Sequence, residues 1–108
     1  MIIVTGSVLT NAGNRVAIEA ECVAHSCRSR VEPGCIAHNV HVDCEAPDRL
    51  VFVEKWTDAA ALRTHFVVPD SGAFVRAITA LSTETPQMQI YAADEIDVGA
   101  LASSVSSS

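Results

Sequence analysis

The 108-residue chain is short of basic side chains: seven Lys and Arg stand against thirteen Asp and Glu, a formal net charge of −6. Nucleic acid is bound by a surplus of positive charge on one face, so it is excluded as a partner. Arg28 and Arg30 are the nearest approach to a basic cluster. No apolar run comes near the roughly 20 residues that cross a bilayer, so no membrane association is expected. Met1-Ile2-Ile3-Val4 has no basic region ahead of its short apolar run, unlike a secretory leader. Cys22, Cys27, Cys35 and Cys44 include no Cys-x-x-Cys pair, and Cys and His together show no zinc-finger spacing. Neither a disulfide framework nor a metal is expected. The thiols read as small buried hydrophobes in a reducing, cytoplasmic setting. There is no internal repeat.

What the chain does have is apolar surface, at 49% of its residues, and a length that suits one domain. Ile2 to Leu9 is apolar at nearly every position, as expected for a strand in a sheet covered on both faces. Thr10 to Asn14 is turn chemistry, with Asn11 or Asn14 available as a helix cap. Val16, Ala20, Val23, Cys27 and Val31 then recur at helical spacing, which predicts a helix of about five turns with that stripe inward. On this reading His25 is exposed. Glu32-Pro33-Gly34 ends the helix.

Cys35 to Glu45 alternates, with Ile36, His38, Val40 and Val42 on one side and Ala37, Asn39, His41 and Asp43 on the other. Ala46-Pro47-Asp48 is a turn. Leu50, Phe52, Glu54 and Trp56 share one face of the next strand. Thr57 or Asp58 caps a short helix towards Phe66, and Pro69-Asp70-Ser71 opens another with Phe74, Ile78 and Leu81 on one side. Pro86 ends it, and Gln87 to Asp94 forms a last strand. The order βαββααβ predicts an α+β, ferredoxin-like fold with an antiparallel sheet over residues 1–96. Both faces of that sheet carry apolar residues and one set of helices covers only one, so an isologous homodimer is expected. Residues 97–108, rich in Ser and Ala, are expected as a disordered tail.

Glu32-Pro33-Gly34-Cys35-Ile36, Arg49 through Asp58 with its Glu54-Lys55-Trp56, and Leu62-Arg63-Thr64-His65-Phe66 together resemble the antibiotic biosynthesis monooxygenase family. The resemblance covers roughly Ile2 to Glu95. It implies a dimeric α+β barrel with the two sheets facing each other, and for many members oxidation of a quinol or phenol by O₂ without metal or organic cofactor. Other members degrade haem or isomerise small molecules, so the resemblance implies the fold more firmly than the chemistry.

The resemblance also implies a pocket between the helices and one sheet face, for a small aromatic substrate and O₂. There His65 is the candidate catalytic base, or else it packs between the two short helices. Trp56 is either an aromatic wall for a planar substrate or a core anchor. Arg76 resembles a residue that orients substrate or stabilises anionic oxygen, or it is solvated or paired with Glu54. Phe52 and Phe74 complete the candidate substrate-binding set. His38 faces away from Asn39 and His41, so the three do not converge within one chain. They reflect a different substrate or lie at the dimer interface, and a metal site from His38, His41 and a carboxylate fits poorly. Haem-degrading members carry Asn, Trp and His where this chain has Ser7, His65 and Ile78, which disfavours haem degradation. The Asn of some phenol-oxidising members falls at Phe52. Besides the monooxygenase, two alternatives stand: a non-catalytic dimeric binding domain, and an isomerase of the same fold.

Overall fold

The computed structural model describes residues 1–107, in the order β1 (Ile2–Leu9), α1 (Arg15–Ser29), β2 (Cys35–Val42), β3 (Arg49–Trp56), α2 (Ala59–Val67), α3 (Pro69–Leu81), β4 (Gln87–Ala92) and α4 (Val98–Ser107). The strands form one sheet in the order β2-β3-β1-β4, antiparallel throughout. This is the ferredoxin-like α+β arrangement that the alternation of elements predicts.

Register decides what faces the helices. Ile2, Val4, Gly6 and Val8 of β1 stand opposite Trp56, Glu54, Phe52 and Leu50 of β3, so one period-2 set from each strand shares a face. Against that face Ile18 and Cys22 of α1 and Phe74 and Ile78 of α3 close over Val8, Leu50 and Phe52. Leu62 of α2 closes over Val4 and Trp56 in a second cluster. A fully buried side chain such as Ile18 contributes on the order of 1.5–3 kcal/mol through removal of apolar surface from water. The opposite face presents Ile3, Thr5, Val51, Val53 and Tyr91, and neither core cluster of the described residues lies over it.

Local chemistry sets the boundaries. The Asp58 carboxylate accepts from Ala61 N and so caps α2, while Pro69 opens α3 at its first turn. Asn11 Oδ1 accepts from Gly13 N and Asn14 N, building the turn before α1. The Asn14 amide then donates to Leu81 O, tying the start of α1 to the end of α3. Gly34 has φ +81°, and a Cβ there would stand 2.5 Å from Ala61 Cβ and 2.8 Å from Thr57 Oγ1. Both the backbone angle and the close approach to the start of α2 require glycine.

Four sequence expectations change. α1 spans Arg15–Ser29, about four turns, and its buried face is Ile18, Cys22, His25, Ser26 and Ser29. The expected stripe of Val16, Ala20, Val23, Cys27 and Val31 is exposed. Ile36 is also exposed, because a bulge between Cys35 and Ala37 places Cys35, rather than Ile36, opposite Trp56. In the stretch expected as a disordered tail lies α4, whose start is fixed by a hydrogen bond from Ala100 N to the Asp97 carboxylate. Ser108 lies outside the described residues. The four cysteines are free thiols, but only Cys22 is the buried hydrophobe expected of them; Cys35 is half-buried, and Cys27 and Cys44 are exposed. Burial pushes Cys22 up to about 12, which makes it inert. Among the described residues no helix is long and apolar enough to cross a membrane.

Candidate functional site

A cavity of about 280 Å³ lies between the helix-bearing face of the sheet and α3. Val4, Phe52 and Met88 wall it from the sheet, Phe74 and Ile78 from α3. Its lining is apolar apart from a few groups, chief among them Glu54 of β3 and His25 of α1. Alternation along β3 puts Glu54 on the same inward face as Phe52 and Trp56, so a carboxylate is delivered into an otherwise apolar layer.

Glu54 has one hydrogen bond and one close imidazole neighbour. Trp56 Nε1 donates to Glu54 Oε1 at 3.0 Å, and His38 Nε2 stands 3.4 Å from the same oxygen. Burial raises the Glu54 carboxyl above the ordinary carboxylate range; the Trp56 hydrogen bond and His65 pull against that shift, and Glu32 adds to it.

Behind Glu54 three imidazoles meet: His25 from α1, His38 from β2 and His65 from α2, all buried. Their ring centroids are 5.0 Å (His25–His38), 5.3 Å (His25–His65) and 5.8 Å (His38–His65) apart. Each is anchored differently. His25 stacks on Phe74 at 3.9 Å with the rings nearly parallel. Nδ1 of His38 lies 2.9 Å from Ser26 Oγ. Nδ1 of His65 lies 3.0 and 3.1 Å from the two Glu32 oxygens, with Ser71 Oγ at 3.4 Å. Burial first, and then the neighbouring histidines and Arg28, lower His25 to about 3. Burial, His65 and Arg30 lower His38 to about 4. Both are therefore neutral at physiological pH.

The candidates expected from sequence divide on this geometry. Phe52 and Phe74 line the cavity; His65, Trp56 and Arg76 are not among its lining residues. His65 packs 4.7 Å from the Trp56 ring, behind the wall. Trp56 is a fully buried core side chain, and Arg76 is exposed on α3. Asn39 accepts from the Arg30 guanidinium at 3.2 Å, and His41 is exposed. Sequence reasoning missed His25, which was expected outside, and the convergence on His38 of helical rather than strand partners. The signal was present: Ile18, Cys22, His25 and Ser29 also recur at helical spacing, two positions out of step with the valine stripe.

Residues 1–77 match the family model for antibiotic biosynthesis monooxygenase. The uncharacterized protein sll1783 of Synechocystis is 35% identical over 63 residues, 58% of this chain and 43% of that protein; the match thus spans less than half the length of that curated relative. Among solved structures, a Deinococcus radiodurans protein named provisionally as an antibiotic biosynthesis monooxygenase superposes with TM-score 0.85 at 24% identity, over 90% of this chain and 96% of that one. Rv0793 of Mycobacterium tuberculosis gives 0.81 at 20% identity, over 88% and 96%. SO0527 of Shewanella oneidensis gives 0.77 at 27% identity, over 83% and 87%. At such identities the first two likenesses establish the fold.

Proposed function

The chain belongs to the antibiotic biosynthesis monooxygenase family, whose model its first 77 residues match, and from that premise we propose that it oxidises a small quinol or related phenol with O₂, without a bound cofactor. The observation that carries this reading is the cavity of about 280 Å³ with Glu54 in its wall. That volume falls just below the usual range of small-molecule sites, roughly 300–1,000 Å³, and suits one or two fused rings.

In this reading Phe52 and Phe74 hold the ring, and Glu54 takes the phenolic proton. A carboxyl raised by burial is a better base for that step than an ordinary one. The phenolate passes one electron to O₂ in the apolar cavity, and the resulting radical and superoxide join through a new C–O bond. Loss of water leaves the oxidised ring, so that quinol plus O₂ gives hydroxyquinone plus water with no outside reductant. Trp56 holds Glu54 through its indole N–H. His65, the sequence candidate for the base, acts one layer back by fixing the histidine group behind Glu54. Arg76 has no part in the step. Two copies of the chain, joined through the open face of Ile3, Val51, Val53 and Tyr91, form the working unit.

Oxygen consumption by metal-free protein with a panel of one- and two-ring quinols tests the reading. One O₂ should be used per hydroxyquinone formed. Glu54→Gln, which keeps an acceptor for Trp56, should lower kcat by about 10²–10⁴. Tight binding of quinols without O₂ uptake would replace the enzyme with a binding domain. Turnover that persists without O₂ would replace the oxygenase with an isomerase.

A further inference from the structure

The three buried histidines have an arrangement that the proton chemistry above does not require. One ring nitrogen of each of His25, His38 and His65 lies within 4.8 Å of one from each of the others. Ser26 engages Nδ1 of His38, and Glu32 engages Nδ1 of His65, which leaves Nε2 of each ring as its uncommitted nitrogen. Metal-binding histidines are oriented in this way, by a carboxylate or hydroxyl on the far nitrogen. His25 has its plane fixed by Phe74 instead.

A second observation is independent of the clustering. Nε2 of His38 is buried and has no hydrogen-bond partner among the described residues, a condition that folded proteins rarely leave without a reason. Its nearest charged neighbour is Glu54 Oε1 at 3.4 Å. Two donors bound to one tetrahedral ion at roughly 2.0–2.1 Å stand about 3.4 Å apart. The His38–Glu54 pair therefore already has the spacing of adjacent ligands. Drawing the histidine nitrogens from 4.8 Å to that spacing moves each ring by less than about 1 Å.

The geometry points to a divalent transition-metal site at His25, His38 and His65, with Glu54 beside its fourth position. Imidazole donors select Zn²⁺ and its first-row neighbours over Mg²⁺ and Ca²⁺. A cleft of about 250 Å³ reaches His25 and is lined also by Glu32, Asp70 and Ser71, with Arg28 as its one cationic side chain, so two carboxylates and one guanidinium flank the approach. The ligands come from α1, β2 and α2, so a bound ion clamps both helices to the sheet. This site stands apart from the oxygenation reading, which concerns the metal-free protein, and either holds without the other.

The test is titration of chelator-stripped full-length protein with Co²⁺, followed by displacement with Zn²⁺. One Co²⁺ per chain should bind with the intense visible bands of a four-coordinate site, and one equivalent of Zn²⁺ should abolish them. His25→Phe, which preserves stacking on Phe74, and His38→Gln should each weaken binding at least 100-fold. Glu32→Gln should weaken it about 10- to 100-fold by releasing His65. The exposed His41→Ala should bind as the parent does. Circular dichroism and melting in chelator identify which variants are folded, and each conclusion is drawn on those. The proposal is overturned if neither ion binds saturably, if binding survives both ligand substitutions, or if His41→Ala abolishes it.

Discussion

His25 and His38 show what burial does to one side chain. In the unfolded chain each accepts a proton near pH 6.5, whereas in the fold the values are about 3 and about 4. As pH falls below 6.5 the unfolded state takes up protons first, so these groups stabilise the fold above that pH and the contribution is lost as pH drops towards 4 and then 3. Each contributes a slope of up to about 1.4 kcal/mol per pH unit. Glu54, with its raised value, acts in the opposite sense: its contribution is full at low pH and fades as pH rises through its folded value. Two histidines outweigh one carboxyl. In chelator, Tm should therefore fall from pH 7 to pH 4, and His25→Phe should flatten that fall. An unchanged slope in the variant would mean that His25 is not buried in the neutral form.

The elements differ in how plainly the sequence wrote them. Strand faces were legible because the two-residue period admits only two assignments, and Leu50, Phe52, Glu54 and Trp56 fall together on the inner one. The Asp58 cap and the Pro69 start were legible because each residue does one local job. The face of α1 was not, since two stripes have the same spacing and the one with more valines is the exposed one. Cys22, Ser26 and Ser29, with almost no surface exposed, let the helix approach the sheet where larger side chains would hold it off. Hydrophobicity alone does not register that small-residue fit. Ile18→Ala should therefore cost about 2–5 kcal/mol, while Val16→Gln and Val23→Gln should stay within about 0.5 kcal/mol. Urea unfolding distinguishes these cases, and a large loss at Val23 would restore the original stripe. The site was half legible for a related reason. Phe52 and Phe74 lie on elements whose faces were assigned correctly, whereas His25 and His38 meet only through the packing of α1 on β2.

For the whole molecule, α1, α2 and α3 cover one face of the sheet, and the other presents a mixed surface. Val51 and Val53 stand there beside Ile3, Thr5 and Tyr91, with Asn39 and His41 towards the β2 edge. A second copy packed through this face would bury those residues, while Phe52, Glu54, Phe74 and Ile78 of the cavity lie on the helix-bearing side. Light scattering should thus give twice the chain mass. Val51→Lys with Val53→Lys should halve it while leaving the far-ultraviolet dichroism intact. A monomer for the parent chain would remove the dimer from the proposed working unit, leaving Glu54 and the cavity walls in place.

The single tryptophan of the chain lies at the back of this arrangement, bonded to Glu54 and 4.7 Å from the His65 ring. Its emission therefore comes from one known place. Charging an imidazole, moving the carboxyl or binding an ion among the histidines alters the surroundings of the indole directly. The protein carries its own optical gauge of the candidate site, readable without a label or a substrate.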